Sequence, residues 1–143
     1  MPAVAADIAA AILADLTGHT FSPPITAARK YLPDLDLRAM DGVRVTVVPR
    51  SNTITNADRS RVANEIAVDV AVQKKLLAVS PEEVDPLMEL VQDIADFLTR
   101  RPLPTVPGAS WLRIANQPIY APEHLQDKRL FTSVLTVTYI VHR

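Results

Sequence analysis

Apolar side chains recur at helical spacing at the start of the chain, then alternate, then return to helical spacing and alternate again. Residues 3–16, AVAADIAAAILADL, predict a helix, with Val4, Ile8, Ala11, Ile12 and Leu16 on one stripe and alanine elsewhere. Gly18 stands where a left-handed C-terminal cap needs it. After Phe21-Ser22-Pro23-Pro24, residues 25–32 predict a strand that Pro33 stops, and residues 34–42 read as a turn ending at Asp41-Gly42. Residues 43–48 alternate strictly, Val43, Val45 and Val47 against Arg44, Thr46 and Val48, and predict a strand that Pro49 ends. Residues 62–76 alternate in the same way: Ile66, Val68, Val70 and Val72 against Ala67, Asp69, Ala71 and Gln73.

The 3.6-residue period returns over 80–101. Ser80-Pro81-Glu82-Glu83 fits a capping box, with Ser80 as N-cap, Glu83 reaching back, and Val79 and Val84 placed as a hydrophobic staple. Pro86 predicts a kink or a separate first turn, with Asp85 as the alternative N-cap. From there the apolar stripe is Leu87, Leu90, Val91, Ile94, Ala95 and Leu98. A proline-rich link over 102–109 leads to a strand at 111–117, a polar stretch at 123–128, and the strongest strand at 130–141. In that last strand Phe131, Ser133, Leu135, Val137, Tyr139 and Val141 share a face. The order α-β-β-β-α-β-β predicts an α+β fold, an antiparallel sheet with helices packed on it.

At 143 residues the chain has the length of one domain, 1–143, large enough to bury a core without disulfides or metal. It has no cysteine, which excludes thiolate nucleophiles, iron–sulfur sites and cysteine zinc sites. Its three glycines, Gly18, Gly42 and Gly108, are too far apart to cradle a phosphate. A net charge of -1 argues against a general electrostatic nucleic-acid binder. No apolar run is long enough to span a membrane, and the start lacks the positive charge of a signal peptide. His19, His124 and His142 have no partner at metal-binding spacing, so catalytic, cofactor and metal residues are all expected to be none.

Two polar features remain. The segment 50–60, RSNTITNADRS, reads as a hairpin loop longer than the usual two to five residues, and excess length points to a functional contact. It offers Arg50, Ser51, Asn52, Thr53, Asn56, Asp58 and Arg59 as partner-contact residues on a projecting arm, and deletion of 52–58 is expected to leave folding intact. The helix at 80–101 carries Glu82, Glu83, Asp85, Glu89, Asp93 and Asp96 with no base before Arg100-Arg101. That order complements the helix dipole, and it also makes Glu82, Glu89, Asp93 and Asp96 a candidate face for a lumen or a basic partner.

The segments KYLPDLDLRAMDGVRVTVVPRS, VDVAVQKKL, LVQDIADFLTRRPLP and FTSVLTVTYIV, in that order and spacing, resemble the tail-terminator or tail-completion proteins of tailed phages and prophages. The resemblance covers roughly residues 20–143. It implies a non-enzymatic virion protein, assembled in the host cytoplasm, that forms a homo-oligomeric ring, commonly a hexamer. Such a ring caps the tail tube and joins it to the head connector at the neck, and DNA passes through its lumen without sequence-specific binding. The implied partners are the tail tube protein and a head-connector or neck protein, with no membrane. A head-completion (stopper) or other neck protein is the alternative within that group. A small α+β enzyme or ligand-binding module is the more distant one and requires a pocket with convergent polar groups.

Overall fold

The computed structural model describes residues 3–30, 42–117 and 119–143, with the side chains of Asp127 and Lys128 outside that description. The elements run α1 (Val4–Gly18), β1 (Ile25–Arg29), β2 (Val43–Asn56), β3 (Val62–Lys75), α2 (Pro81–Leu98), β4 (Ala109–Asn116), α3 (Pro122–Lys128) and β5 (Leu130–His142). The fold is α+β. One five-stranded sheet in the order β1-β2-β3-β5-β4 carries the helices, and the expected succession of elements holds apart from the added α3. Its pairs are antiparallel except that β1 lies parallel to β2, from Ile25 opposite Val43 to Arg29 opposite Val47.

The alternation read from the sequence is the burial pattern of the sheet. Val43, Val45 and Val47 of β2, Ile66, Val68, Val70 and Val72 of β3, and Phe131, Leu135, Val137, Tyr139 and Val141 of β5 all face the helices and are buried. Against them lie Ile8, Ile12 and Leu16 of α1 and Leu87, Leu90, Ile94 and Leu98 of α2. α1 packs across β1, β2 and β3, while α2 packs on β5. At about 1.5–3 kcal/mol for each large apolar side chain buried, this single core accounts for the ordering of both helices.

The helix ends differ from expectation. α1 runs through Gly18, and the chain leaves it at His19 in an extended conformation (φ -106, ψ 146), so no left-handed cap forms there. The ring of His19 stacks on Phe97 at 4.3 Å and meets the edge of Phe21, which takes over the role of holding the helix exit. At α2, Ser80 is the N-cap by backbone conformation but its hydroxyl caps no amide. Glu83 instead reaches past it, accepting from the amides of Leu77 (3.0 Å) and Ala78 (3.3 Å). Val79 of the expected staple is 55% exposed. The helix is continuous over 81–98 despite Pro86, which sits on the solvent side. The left-handed position beyond the α2 cap falls on Arg100, with φ 56.

The strand bounds also shift. β1 ends at Arg29, and the expected strand residues 31–32, the stop at Pro33 and the turn over 34–41 lie outside the described residues. The polar stretch at 123–128 falls within α3, with Pro122 at its first turn and Leu125 buried in the core. α3 lies beside the start of β5, where β4 no longer covers it.

The largest correction concerns the hairpin. The expected loop over 50–60 is strand as far as Asn56, and only 57–61 turn. Polar side chains do not prevent a ladder whose bonds are made by the backbone, and Thr53, Ile54 and Thr55 suit the pleat. The ladder continues from Ser51 opposite Ala67 to Asn56 opposite Val62, with a register shift between Pro49 and Ser51. Nor is it a free arm. β3 is paired on its other side to β5 out to Ala63 opposite His142. Deletion of 52–58 therefore removes the end of the β2 ladder together with part of its turn, not a free loop.

Candidate functional site

Residues 50–62 are all exposed, in a sheet whose neighbouring strands are mostly buried. Two facts of packing produce this. β1 covers the outer side of β2 only to Val47, where the Lys30 amide donates to the Val47 carbonyl. Beyond that point no described strand pairs with the outer edge of β2. The helices also stop short, so neither face of the 50–56 strand is covered by a described element. The sequence-derived contact residues Arg50, Ser51, Asn52, Thr53 and Asn56 lie on this strand, and Asp58 and Arg59 lie in its turn.

The turn is closed by the amides of Ala57 and Asp58, which donate to the Arg61 carbonyl, and by one carboxylate. Asp58 Oδ1 accepts from the amides of Ser60 and Arg61, both at 2.9 Å, and Oδ2 accepts from the Arg61 guanidinium at 3.2 Å. The Ser60 amide is the main cause that holds the Asp58 carboxyl below its ordinary range; desolvation opposes it, and the Arg61 guanidinium and amide and the Ser60 hydroxyl add to the lowering. Arg61 is thereby spent on the turn, and Arg59 carries the free positive charge of the tip, with no ion pair among the described residues.

Parity along the ladder decides which side chains share a face. Asn52, Ile54 and Asn56 of β2 stand with Val62, Asn64 and Ile66 of β3 on the helix side of the sheet. Asn64 is buried, accepts from Asn52 at 3.3 Å and donates to the Val141 carbonyl at 3.5 Å. Past it, Ile54 (60% exposed) and Val62 (40% exposed) form a diagonal apolar pair at the tip. On the opposite face Thr136 donates to Asp69 at 2.8 Å, and Arg50 reaches both, 3.3 Å from the Thr136 hydroxyl and 3.6 Å from the carboxylate. Arg113 of β4 pairs with Glu65 at 2.6 Å on that face. Arg50 and Arg113 thus tie the far end of the sheet together.

The acids of α2 stand apart from the hairpin. Glu82, Asp85, Glu89, Asp93 and Asp96 are exposed on the arc opposite the buried stripe, and Gln92 donates to Asp96 at 2.8 Å. Glu83 is half-buried on the core side of the helix, at the Leu77 and Ala78 amides. The structure therefore does not bring the acidic face and the hairpin tip of one chain together.

Sequence reasoning missed a third surface. A cleft of about 350 Å³ opens between the start of α2 and α3, lined by Val79, Pro81, Val84, Asp85, Met88 and Tyr120 among others. Leu77 and Ile119, also exposed, are close in the chain to Val79 and Tyr120. The signal was the run Leu76-Leu77-Ala78-Val79 after a strand, of which only Leu76 is buried.

Among the described residues no three histidine or acidic side chains converge as metal ligands, and no helix is long and apolar enough to cross a membrane. His124 contacts the Thr132 hydroxyl at 2.8 Å and His142 is exposed at the end of β5. In comparison with known proteins, the chain matches no family model and no curated protein.

Proposed function

We propose that this chain is a non-enzymatic virion subunit of a phage or prophage, resembling a tail terminator: a protein that assembles as a ring on the end of the tail tube and joins it to the head connector. The observation that carries the reading is the exposed end of the sheet, residues 50–62, rigidly paired through β3 to β5 yet uncovered on both faces and on the β2 edge. A four-stranded end held this way presents a fixed polar surface for surface complementarity, which is what a ring subunit needs. The order and spacing of the segments over roughly 20–143 support the same reading through the family resemblance. The acidic arc of α2 fits a lumen wall that repels the DNA passing it.

Imaging of particles labelled on this chain tests the proposal. A ring at the head-proximal end of the tail tube is the expected result. Label on the connector in tail-less heads moves the assignment to a head-completion protein, and particles without the chain overturn a virion role. In the same particles, E89K/D93K is expected to slow DNA ejection at low salt. Unchanged infectivity takes α2 out of the lumen.

A further inference from the structure

We propose that the hairpin tip of one copy seats in the apolar cleft between α2 and α3 of the next copy, so that the chain assembles head to tail. Apart from Leu112 on β4, the exposed large apolar side chains of the described residues fall at two places. Ile54 and Val62 form one pair at the tip, while Val79, Met88 and Tyr120 line the cleft, with the exposed Leu77 and Ile119 close to them in the chain. Exposed apolar clusters of this kind mark contact sites.

The two places cannot meet within one chain. The tip precedes the first residues of β3 and the cleft lies just after its last, and 14 residues of strand separate them by about 45 Å. A contact between different patches of two identical chains is heterologous, and repetition of it closes a ring or extends a filament.

Charge chooses the same pairing. Arg59 is the free cation of the tip, and the α2 side of the cleft carries Asp85 in its lining. Lys74, Lys75 and Arg129 lie on the β3–β5 side, where Arg129 donates to the Leu77 carbonyl at 3.3 Å. A tip seated with Arg59 toward α2 meets the Asp85 carboxylate, and none of those bases belongs to the cleft lining. Two tips facing each other oppose Arg59 to Arg59, and two clefts oppose acid to acid, so both symmetric pairings are disfavoured. That the occupant is a second copy rests on the ring-subunit reading; the two surfaces are matched by their apolar side chains and by Arg59 and Asp85.

The chain has no cysteine, so engineered pairs report directly. Ile54→Cys mixed with Met88→Cys is expected to give a disulfide-linked dimer under mild oxidation, and the double variant a ladder of higher species. Either single variant alone should give none. Val62→Cys with Met88→Cys repeats the measurement should Ile54→Cys fail to fold by circular dichroism. Arg59→Glu is expected to cut the linked yield roughly fivefold at low salt, and Asp85→Lys in the partner to restore it. Homodimers of the Ile54→Cys variant as the main product, or no linkage in either folded pair at millimolar protein, overturn the proposal. The two readings fail separately: particles without the ring but with the crosslink remove the tail assignment, and a ring without the crosslink removes this interface.

Discussion

The phenol of Tyr139 donates a 2.6 Å hydrogen bond to the backbone carbonyl of Arg101, joining β5 to the link that follows α2. The same arginine pairs with Asp15 of α1 at 3.0 Å and lies 4.1 Å over the ring of Phe97. Both long helices are therefore tied to the sheet through one corner.

Tyr139→Phe is expected to destabilise the fold by about 1–2 kcal/mol, because the Arg101 carbonyl loses its donor while the ring still packs. Urea denaturation measures this. Burial first, then the Asp15 charge, push the Tyr139 pKa up from 10.0 to about 12, against the opposing effect of Arg101. The folded state then holds a proton that the unfolded chain releases. This contribution is complete below pH 10 and is lost as pH rises through about 12. A pH series should show a shallower alkaline decline for Tyr139→Phe than for the parent. Equal slopes would remove Tyr139 as the cause.

At the start of α2, Glu83→Ala should cost about 1 kcal/mol and Ser80→Ala much less, since the carboxylate and not the hydroxyl holds the preceding amides. Amide exchange at Leu77 and Ala78 checks the assignment. Faster exchange is expected in the glutamate variant only.

Arg100→Gly should raise stability by about 0.5–1 kcal/mol, because a left-handed residue with a Cβ is replaced by one that adopts the conformation freely. The midpoint of thermal unfolding reads the gain, and a loss would show that the Arg100 side chain contributes packing of its own.

Asp58→Ala is expected to loosen only the turn at 57–61, leaving the ladder from Ser51 to Asn56 intact. The depressed Asp58 pKa means that the turn is held above the ordinary carboxylate range and released as pH falls through the lower, folded value. Nuclear magnetic resonance of the Ser60 and Arg61 amides should show that acid transition in the parent and none in the variant.

Periodicity made the core legible. The stripe from Leu87 to Leu98 and the alternation of β3 and β5 give the buried faces directly, because burial follows the local geometry of helix and strand. The hairpin was harder to read. From 50 to 56 the side chains are polar and exposed, so nothing in their pattern distinguishes a loop from a strand whose stability comes from backbone bonds to 62–67. α3 was missed for a related reason: at seven residues it holds its place through Leu125 and the edge of β5, not through a repeated stripe.

The candidate surfaces divide in the same way. The basic residues around the turn and the acids of α2 are visible in the sequence, since charge needs no partner to be seen. The cleft beside Met88 is not, because Tyr120 lies 41 positions from Val79 and 36 from Val84 and meets them only when α3 lies by the start of β5. Val79 illustrates the rule: its spacing to Val84 fits a staple, and packing leaves it in solvent. The sequence by itself determined the two long helices, the strands that alternate and which of their faces are apolar. Only the tertiary structure decided that β1 runs parallel to β2, that the hairpin is a sheet end and not an arm, and where apolar surface is left uncovered. Those depend on contacts between distant segments, which local periodicity does not encode.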